Sequence, residues 1–117
     1  MDARRSDWAE DVWVLEARGR IDAGLAPELE EQLRILLSAG HSLLIVDFRR
    51  VSYISSSGLK ALLVALRWAR AQGGNLRLCG MNDRVCEVFT LSGFHKIFSI
   101  HPSEKEAAAA FHSSEAV

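Results

Sequence analysis

The stretch Val51-Ser52-Tyr53-Ile54-Ser55-Ser56-Ser57-Gly58-Leu59 decides how this chain folds. It joins a nearly continuous apolar run, residues 43–48, to a run whose apolar residues recur at helical spacing. The first pattern is typical of a strand covered on both faces, and the second of a helix buried along one face. The sequence therefore predicts that three serines and a glycine occupy a strand-to-helix junction, where backbone N–H groups point outward and favour negative charge.

The composition is that of an ordinary small globular protein. A chain of 117 residues suffices for one core, so we expect a single domain over 1–117, with its core at roughly 12–111 and flexible ends. The formal net charge of -1 gives no reason to expect nucleic acid as a partner. The absence of a long apolar run argues against direct membrane insertion, and two cysteines are too few for a disulfide framework. We therefore expect a cytoplasmic protein.

Strand and helix patterns alternate along the chain on both sides of the serine run. Residues 1–8 are either a frayed lead-in or a short edge strand, with Trp8 packed back on the sheet. The further predicted elements are strands over 12–18, 43–48, 76–80 and 97–100, and helices opening at Pro27, over 59–72, over 84–91 and from Ser103 to Phe111. Asn82 or Asp83 can cap the helix over 84–91, and Ser92-Gly93 is predicted to end it. Such alternation predicts an α/β fold with mostly parallel neighbours and right-handed crossovers.

The serine run does not match the nucleophile of a hydrolase. A nucleophile elbow needs G-x-S-x-G, whereas Tyr53 and Ile54 precede the serines. The candidate bases, for which the sequence shows no orienting acid, are His41, His95, His101 and His112. Metal binding is not expected either, because Cys79, Cys86 and His95 lack the close pairing of ligands, and Cys79 is typical of a small core residue. We predict no cofactor and no catalytic residue.

Two roles for the serines remain open, helix capping and phosphorylation. Any one of Ser55, Ser56 and Ser57 could accept a hydrogen bond from a free N–H group of the first helical turn. One serine suffices for that role, and Lys60 stands where a capping box would place an acidic residue. Three consecutive hydroxyls therefore leave some without a structural role.

The helix after the serines carries a candidate contact patch. Its predicted buried face consists of Leu59, Leu62, Leu63 and Leu66. The opposite face then presents Lys60, Ala61, Val64 and Trp68. An exposed tryptophan one turn from a valine is typical of a surface that binds another protein. The alternative is that Trp68 packs under a loop or the N-terminal segment.

The serine run, with Asp47-Phe48 before it, resembles the central motif of STAS domains, and more narrowly that of the bacterial anti-sigma factor antagonists. Gly19-Arg20-Ile21-Asp22 followed by Pro27-Glu28-Leu29 resembles the first loop and helix of that family, and Gly73-Gly74-Asn75-Leu76 the start of its third strand. The resemblance covers roughly residues 12–111. It implies the STAS fold, an α/β arrangement of a mixed, mostly parallel four- to five-stranded sheet with about four helices.

The resemblance also implies a function that is regulatory and not enzymatic. In this family, the unphosphorylated antagonist binds an anti-sigma factor that is also a serine kinase, phosphorylation ends binding, and a PP2C-like phosphatase restores it. Carried onto this chain, the phosphorylated residue is Ser56, with Ser55 and Ser57 as the fallback positions. The implied partner-binding residues are Asp22, Gly58, Lys60, Ala61, Val64 and Trp68.

Two positions depart from the family pattern. Many antagonists have an aspartate where this chain has Ser55, and small residues are frequent where it has Lys60. Lys60 points to a different partner surface. The missing aspartate, together with the patch of Val64 and Trp68, favours an alternative hypothesis, a constitutive STAS interaction subunit of a lipid-transport or other signalling complex.

Overall fold

The computed structural model describes residues 1–113, which form a five-stranded sheet with helices on both faces. The elements are β1 (Asp2–Arg5), β2 (Trp13–Ile21), α1 (Ala26–Ser38), β3 (Leu43–Ile54), α2 (Ser56–Ala71), β4 (Asn75–Cys79), α3 (Asp83–Ser92), a short 3-10 helix (Phe94–Lys96), β5 (Ser99–His101) and α4 (Glu104–Ser113). The strands lie in chain order across the sheet. Strand β1 is antiparallel to β2, and the other neighbours are parallel. The predicted α/β fold with a mixed, mostly parallel sheet is confirmed.

The central strand β3 divides the core into two layers. Leu44 and Val46 belong to the larger cluster, which includes the buried residues of α1, α2 and α3. Ile45 points to the other face, where Ala107 and Ala108 of α4 cover it. Because successive side chains of a strand alternate between faces, the continuous apolar run of β3 is what a strand buried on both sides requires.

Several local predictions are confirmed by the structure. The side-chain oxygen of Asn82 caps α3 by accepting a hydrogen bond from the Val85 N–H at 2.8 Å. Gly93 ends that helix in a left-handed conformation with φ of 80°, which glycine adopts without strain. Cys79 is buried in the core, as its place in an apolar strand predicts.

Other boundaries differ from the predictions. Strand β2 continues through Ile21, which was expected in a loop, and β3 continues to Ile54, because the two strands pair along most of their length. Strand β5 begins at Ser99 and not at Ile97, because Ile97 and Phe98 form the turn that follows the 3-10 helix, with both N–H groups donating to the Phe94 carbonyl. Trp8 does not pack on the sheet: it is 56% exposed, with the Lys105 amine 5.1 Å from its ring. Residues 114–117, the predicted flexible C-terminal end, lie outside the described residues.

The N-terminal residues form an edge strand that an ion pair ties to α4. The Arg4 guanidinium donates a hydrogen bond to the Glu104 carboxylate at 2.6 Å, and the Ser6 hydroxyl donates another at 2.8 Å. Burial acts to raise the pKa of Glu104, but these hydrogen bonds outweigh it and hold that pKa below its ordinary value.

Within residues 1–113, no helix is long and apolar enough to cross a membrane.

Replacing Glu104 by glutamine should lower the free energy of unfolding by about 1–2 kcal/mol at pH 7, because Arg4 loses a partly buried charged acceptor. A carboxylate with a lowered pKa stabilises the folded state above its ordinary pKa of about 4.3 and loses that effect as the pH falls through the lowered value. Urea denaturation of both proteins should therefore show a difference that disappears in acid. Glu106→Gln is the matched control, since Glu106 is exposed on the same helix. An equal loss in this control would contradict the prediction.

Candidate functional site

The serine run is held at one edge of the sheet by the ends of β2 and β3. Ile21 and Ile54 are paired in register, and the Ser55 N–H donates a hydrogen bond to the Ile21 carbonyl at 2.9 Å. The loop that begins at Asp22 and the helix that begins at Ser56 therefore leave the sheet side by side. This is the carboxyl edge of parallel strands, where ligands and partners of open α/β sheets are typically bound.

The three serines have different environments at this junction. Ser55 is the N-cap residue, in extended conformation with φ of −96° and ψ of 175°. Its hydroxyl oxygen is buried, makes no capping bond and has no hydrogen-bond partner among the described residues. Ser56 is the first residue of α2 and is exposed, whereas Ser57 is half-buried. The serine side chains therefore do not cap α2. Of the three serines, Ser56 is the most exposed to solvent.

Gly58 packs the first turn of α2 against the ends of both strands. A Cβ atom at this position would lie 2.6 Å from Cγ1 of Ile54 and 2.9 Å from Cγ2 of Ile21. Both distances are far below van der Waals contact, so only glycine lets the helix start so close to the sheet. Gly58 is buried, and its contribution to the site is to place Ser56 and not to offer a side chain for contact.

Asp22 holds the loop beside the serines. Its Oδ1 atom accepts hydrogen bonds from the N–H groups of Gly24 at 3.0 Å and Leu25 at 3.1 Å, which shapes the turn into α1. The residue is exposed, and its second carboxylate oxygen has no hydrogen-bond partner within residues 1–113. The same side chain can therefore order the loop and present an oxygen to a partner.

A groove of about 450 Å³ lies between α1 and α2, toward the N-terminal ends of both helices. We call it the α1–α2 groove; its lining consists of Ala23, Ala26, Pro27, Glu30, Glu31, Arg34, Ser57, Lys60 and Ala61. Lys60 is exposed, but Ala61 is only 2% exposed. The prediction that Ala61 lies on an exposed face is wrong, because α1 packs over that side of α2, a contact that the pattern of α2 alone does not reveal.

The far end of the same helix pair forms a second concavity of about 250 Å³. Trp68 lines it together with Leu37 and Gln72. Trp68 is half-buried and packs on the main core, and Val64, one turn earlier, is also half-buried. The tryptophan therefore packs partly against its own domain while keeping one part of its ring at the surface.

The remaining reactive side chains lie in other contacts. Among the described residues, no hydrogen bond joins a histidine to the serine run: His41 stacks on Trp13, and His112 contacts Asp11. Burial, with the nearby Asp47 carboxylate, raises the pKa of the Cys79 thiol to about 12, which keeps it protonated and a poor nucleophile. No cluster of three potential metal ligands occurs within residues 1–113.

The unused cap at Ser55 gives a stability prediction. Ser55→Ala should leave the free energy of unfolding unchanged or raise it by up to about 1 kcal/mol, because it removes a buried hydroxyl that has no partner. Asn82→Ala is the matched control at a cap that does form its bond, and it should lower the same free energy by about 1–2 kcal/mol. Urea denaturation measures both. An equal loss in the two variants would show that the Ser55 hydroxyl is hydrogen-bonded in solution.

Comparison with known proteins agrees with this geometry. The STAS domain family model matches residues 6–107. The chain is 36% identical to BtrV of Bordetella bronchiseptica, whose name places it among the anti-sigma factor antagonists, over 90% of each chain. It is 33% identical to the anti-sigma-B factor antagonist of Listeria monocytogenes over 82% of each chain. A Thermotoga maritima protein described as an anti-sigma factor antagonist has the same fold, with a TM-score of 0.85 at 20% identity over 95% of this chain and 93% of that one. This chain therefore belongs to the STAS domain family.

Proposed function

We propose that this chain is a cytoplasmic anti-sigma factor antagonist that works by partner switching and has no catalytic activity of its own. In this proposal, the unphosphorylated protein binds an anti-sigma factor that is also a serine kinase. Phosphorylation of Ser56 by that kinase ends the binding, and a PP2C-like phosphatase restores it. The observation that carries the proposal is the exposed Ser56 at the first residue of α2, fixed at the sheet edge.

The names of the sequence relatives support the general role. Both relatives are named as anti-sigma factor antagonists, and each matches over more than four fifths of this chain. The two motifs that resemble the family, the loop at Asp22 and the serine run, also follow the paired ends of neighbouring strands, which supports a shared role in binding. The phosphorylation cycle rests on the resemblance to the family and on the accessibility of Ser56.

The position of Ser56 suits a switch that leaves the fold intact. A phosphoserine carries about −1.5 to −2 charges at neutral pH. Because Ser56 is exposed and its side chain makes no hydrogen bond within residues 1–113, a phosphate there can stay in water and breaks no contact. A helix N-terminus also favours negative charge. The folded domain should therefore accept the phosphate without rearrangement.

The same phosphate is costly once a partner covers it. A protein packed over the start of α2 would have to remove water from a doubly charged group or make room for it. A loss of about 3 kcal/mol weakens binding roughly 150-fold. We propose that the covering partner contacts Asp22, Lys60 and the surface edges of Val64 and Trp68. Gly58 and Ala61, which are buried, support this surface from beneath.

A second function is favoured by the concavity at Trp68. This residue lies twelve positions after Ser56, which is about 18 Å along a helix. A partner docked only at Trp68 would not sense a phosphate at Ser56. Such binding would make the chain a constitutive interaction subunit, for example of a lipid-transport complex. Co-purification with a membrane permease, unchanged by substitution of the serines, would identify this function.

The switch is tested by binding titrations with the cognate kinase and by locating the phosphate. Tandem mass spectrometry after incubation with kinase and ATP should place the phosphate on Ser56. Calorimetry should give Ser56→Ala the affinity of the unmodified protein and Ser56→Asp an affinity at least tenfold lower, because even a single added charge must be desolvated.

Ser99→Asp is the matched control for the added charge, since Ser99 is exposed on β5, the outer strand that β4 separates from β3. It should bind like the unmodified protein. Phosphate found only outside Ser55–Ser57, or equal affinities for Ser56→Ala and Ser56→Asp, would refute the proposed switch.

A further inference from the structure

Lys60 is a cation without a partner beside the residue proposed as the switch. No carboxylate of residues 1–113 lies within ion-pair distance of its amine, although the side chain is exposed and lines the α1–α2 groove. Ser56 and Lys60 are four residues apart on one helix. Residues at this spacing are neighbours on the helix surface, with Cβ atoms about 6 Å apart.

The order of the two residues is the favourable one for an ion pair. A negative group four residues before a lysine stabilises a helix more than the reverse order, because each charge then lies toward the end of the helix dipole that favours it. Lys60 has a flexible stem that lets its amine reach one turn back along the helix. An unmodified Ser56 offers this amine no charge.

The charged groups that α1 presents to the groove leave Lys60 available. They are Glu30, Glu31 and Arg34. Glu31 already pairs with Arg34, which holds the pKa of that carboxyl below its ordinary value. Glu30 is therefore the remaining carboxylate in the groove that could compete for the amine. It lies on the other helix and carries one negative charge, fewer than the phosphate.

We infer that Lys60 pairs with the phosphate of phosphorylated Ser56 and so stabilises the released form of the protein from within its own chain. This inference rests on the proposed function, since it concerns the phosphorylated state of the same site. Lys60 is then a positioning residue for the phosphate. Its amine partly neutralises the phosphate and keeps it against α2. The phosphorylated protein is thereby stabilised without a bound partner.

The test uses the full chain with phosphoserine installed at position 56 during translation, so that neither kinase nor partner is needed. Phosphorus NMR then follows the second ionisation of the phosphate, which is ordinarily centred near pH 6. With Lys60 present, the acid dissociation constant should be roughly twofold larger than in Lys60→Gln, because the amine favours the dianion. Lys60→Arg should restore the larger value. Raising the salt from about 20 mM to about 500 mM should shrink the difference.

Arg67→Gln is the matched control: it removes one positive charge from an exposed site on the same helix, about 16 Å from Ser56 along the axis. It should leave the dissociation constant unchanged. Equal constants with and without Lys60, or an equal effect of Arg67→Gln, would overturn the inference. Partner binding is not measured here, so a failed switch and a failed Lys60 contact give distinguishable results.

Discussion

The hydrogen bond from the Ser55 N–H to the Ile21 carbonyl closes the parallel pairing of β2 and β3 at the edge where α2 begins. Gly58 then seats the first helical turn directly on the two isoleucines at the strand ends. The start of α2 and the loop at Asp22 have little freedom to move apart, since both leave the sheet from paired positions. The exposure of Ser56 follows from this constraint.

A rigid junction of this kind suits regulation by charge. Ser56 contributes nothing to the core, so a change in its chemistry need not alter the free energy of folding by much. The residues around it do contribute to folding: Asp22 orders a turn, and Ala61 is buried beneath α1. In the proposed switch, the residue that carries the phosphate is therefore distinct from the residues that maintain the surface around it.

Local sequence patterns predicted the order of strands and helices, because burial on one or two faces leaves a clear periodicity in β3 and in the helices. They also predicted a cap at Asn82 or Asp83 and the helix end at Gly93, because each of these signals depends on residues only a few positions apart. They did not predict the burial of Ala61, which depends on how α1 crosses α2. The bond between Arg4 and Glu104 joins residues 100 positions apart, and the polar sequence of β1 has no strand signature. The sequence also could not show that the Ser55 hydroxyl lacks a hydrogen-bond partner. A serine at the N-cap position gives the same sequence pattern whether or not its side chain forms the capping bond.

In the proposed switch, a phosphate at Ser56 acts at a fixed junction without refolding the domain. The most direct measurement is the map of backbone amide chemical shifts, by NMR, of the protein before and after phosphorylation at Ser56. We expect changes confined to the first turns of α2 and the loop at Asp22, with β3 and β4 unaffected. Changes spread through the central strands and α4 would contradict this account, because they would show that the phosphate rearranges the core.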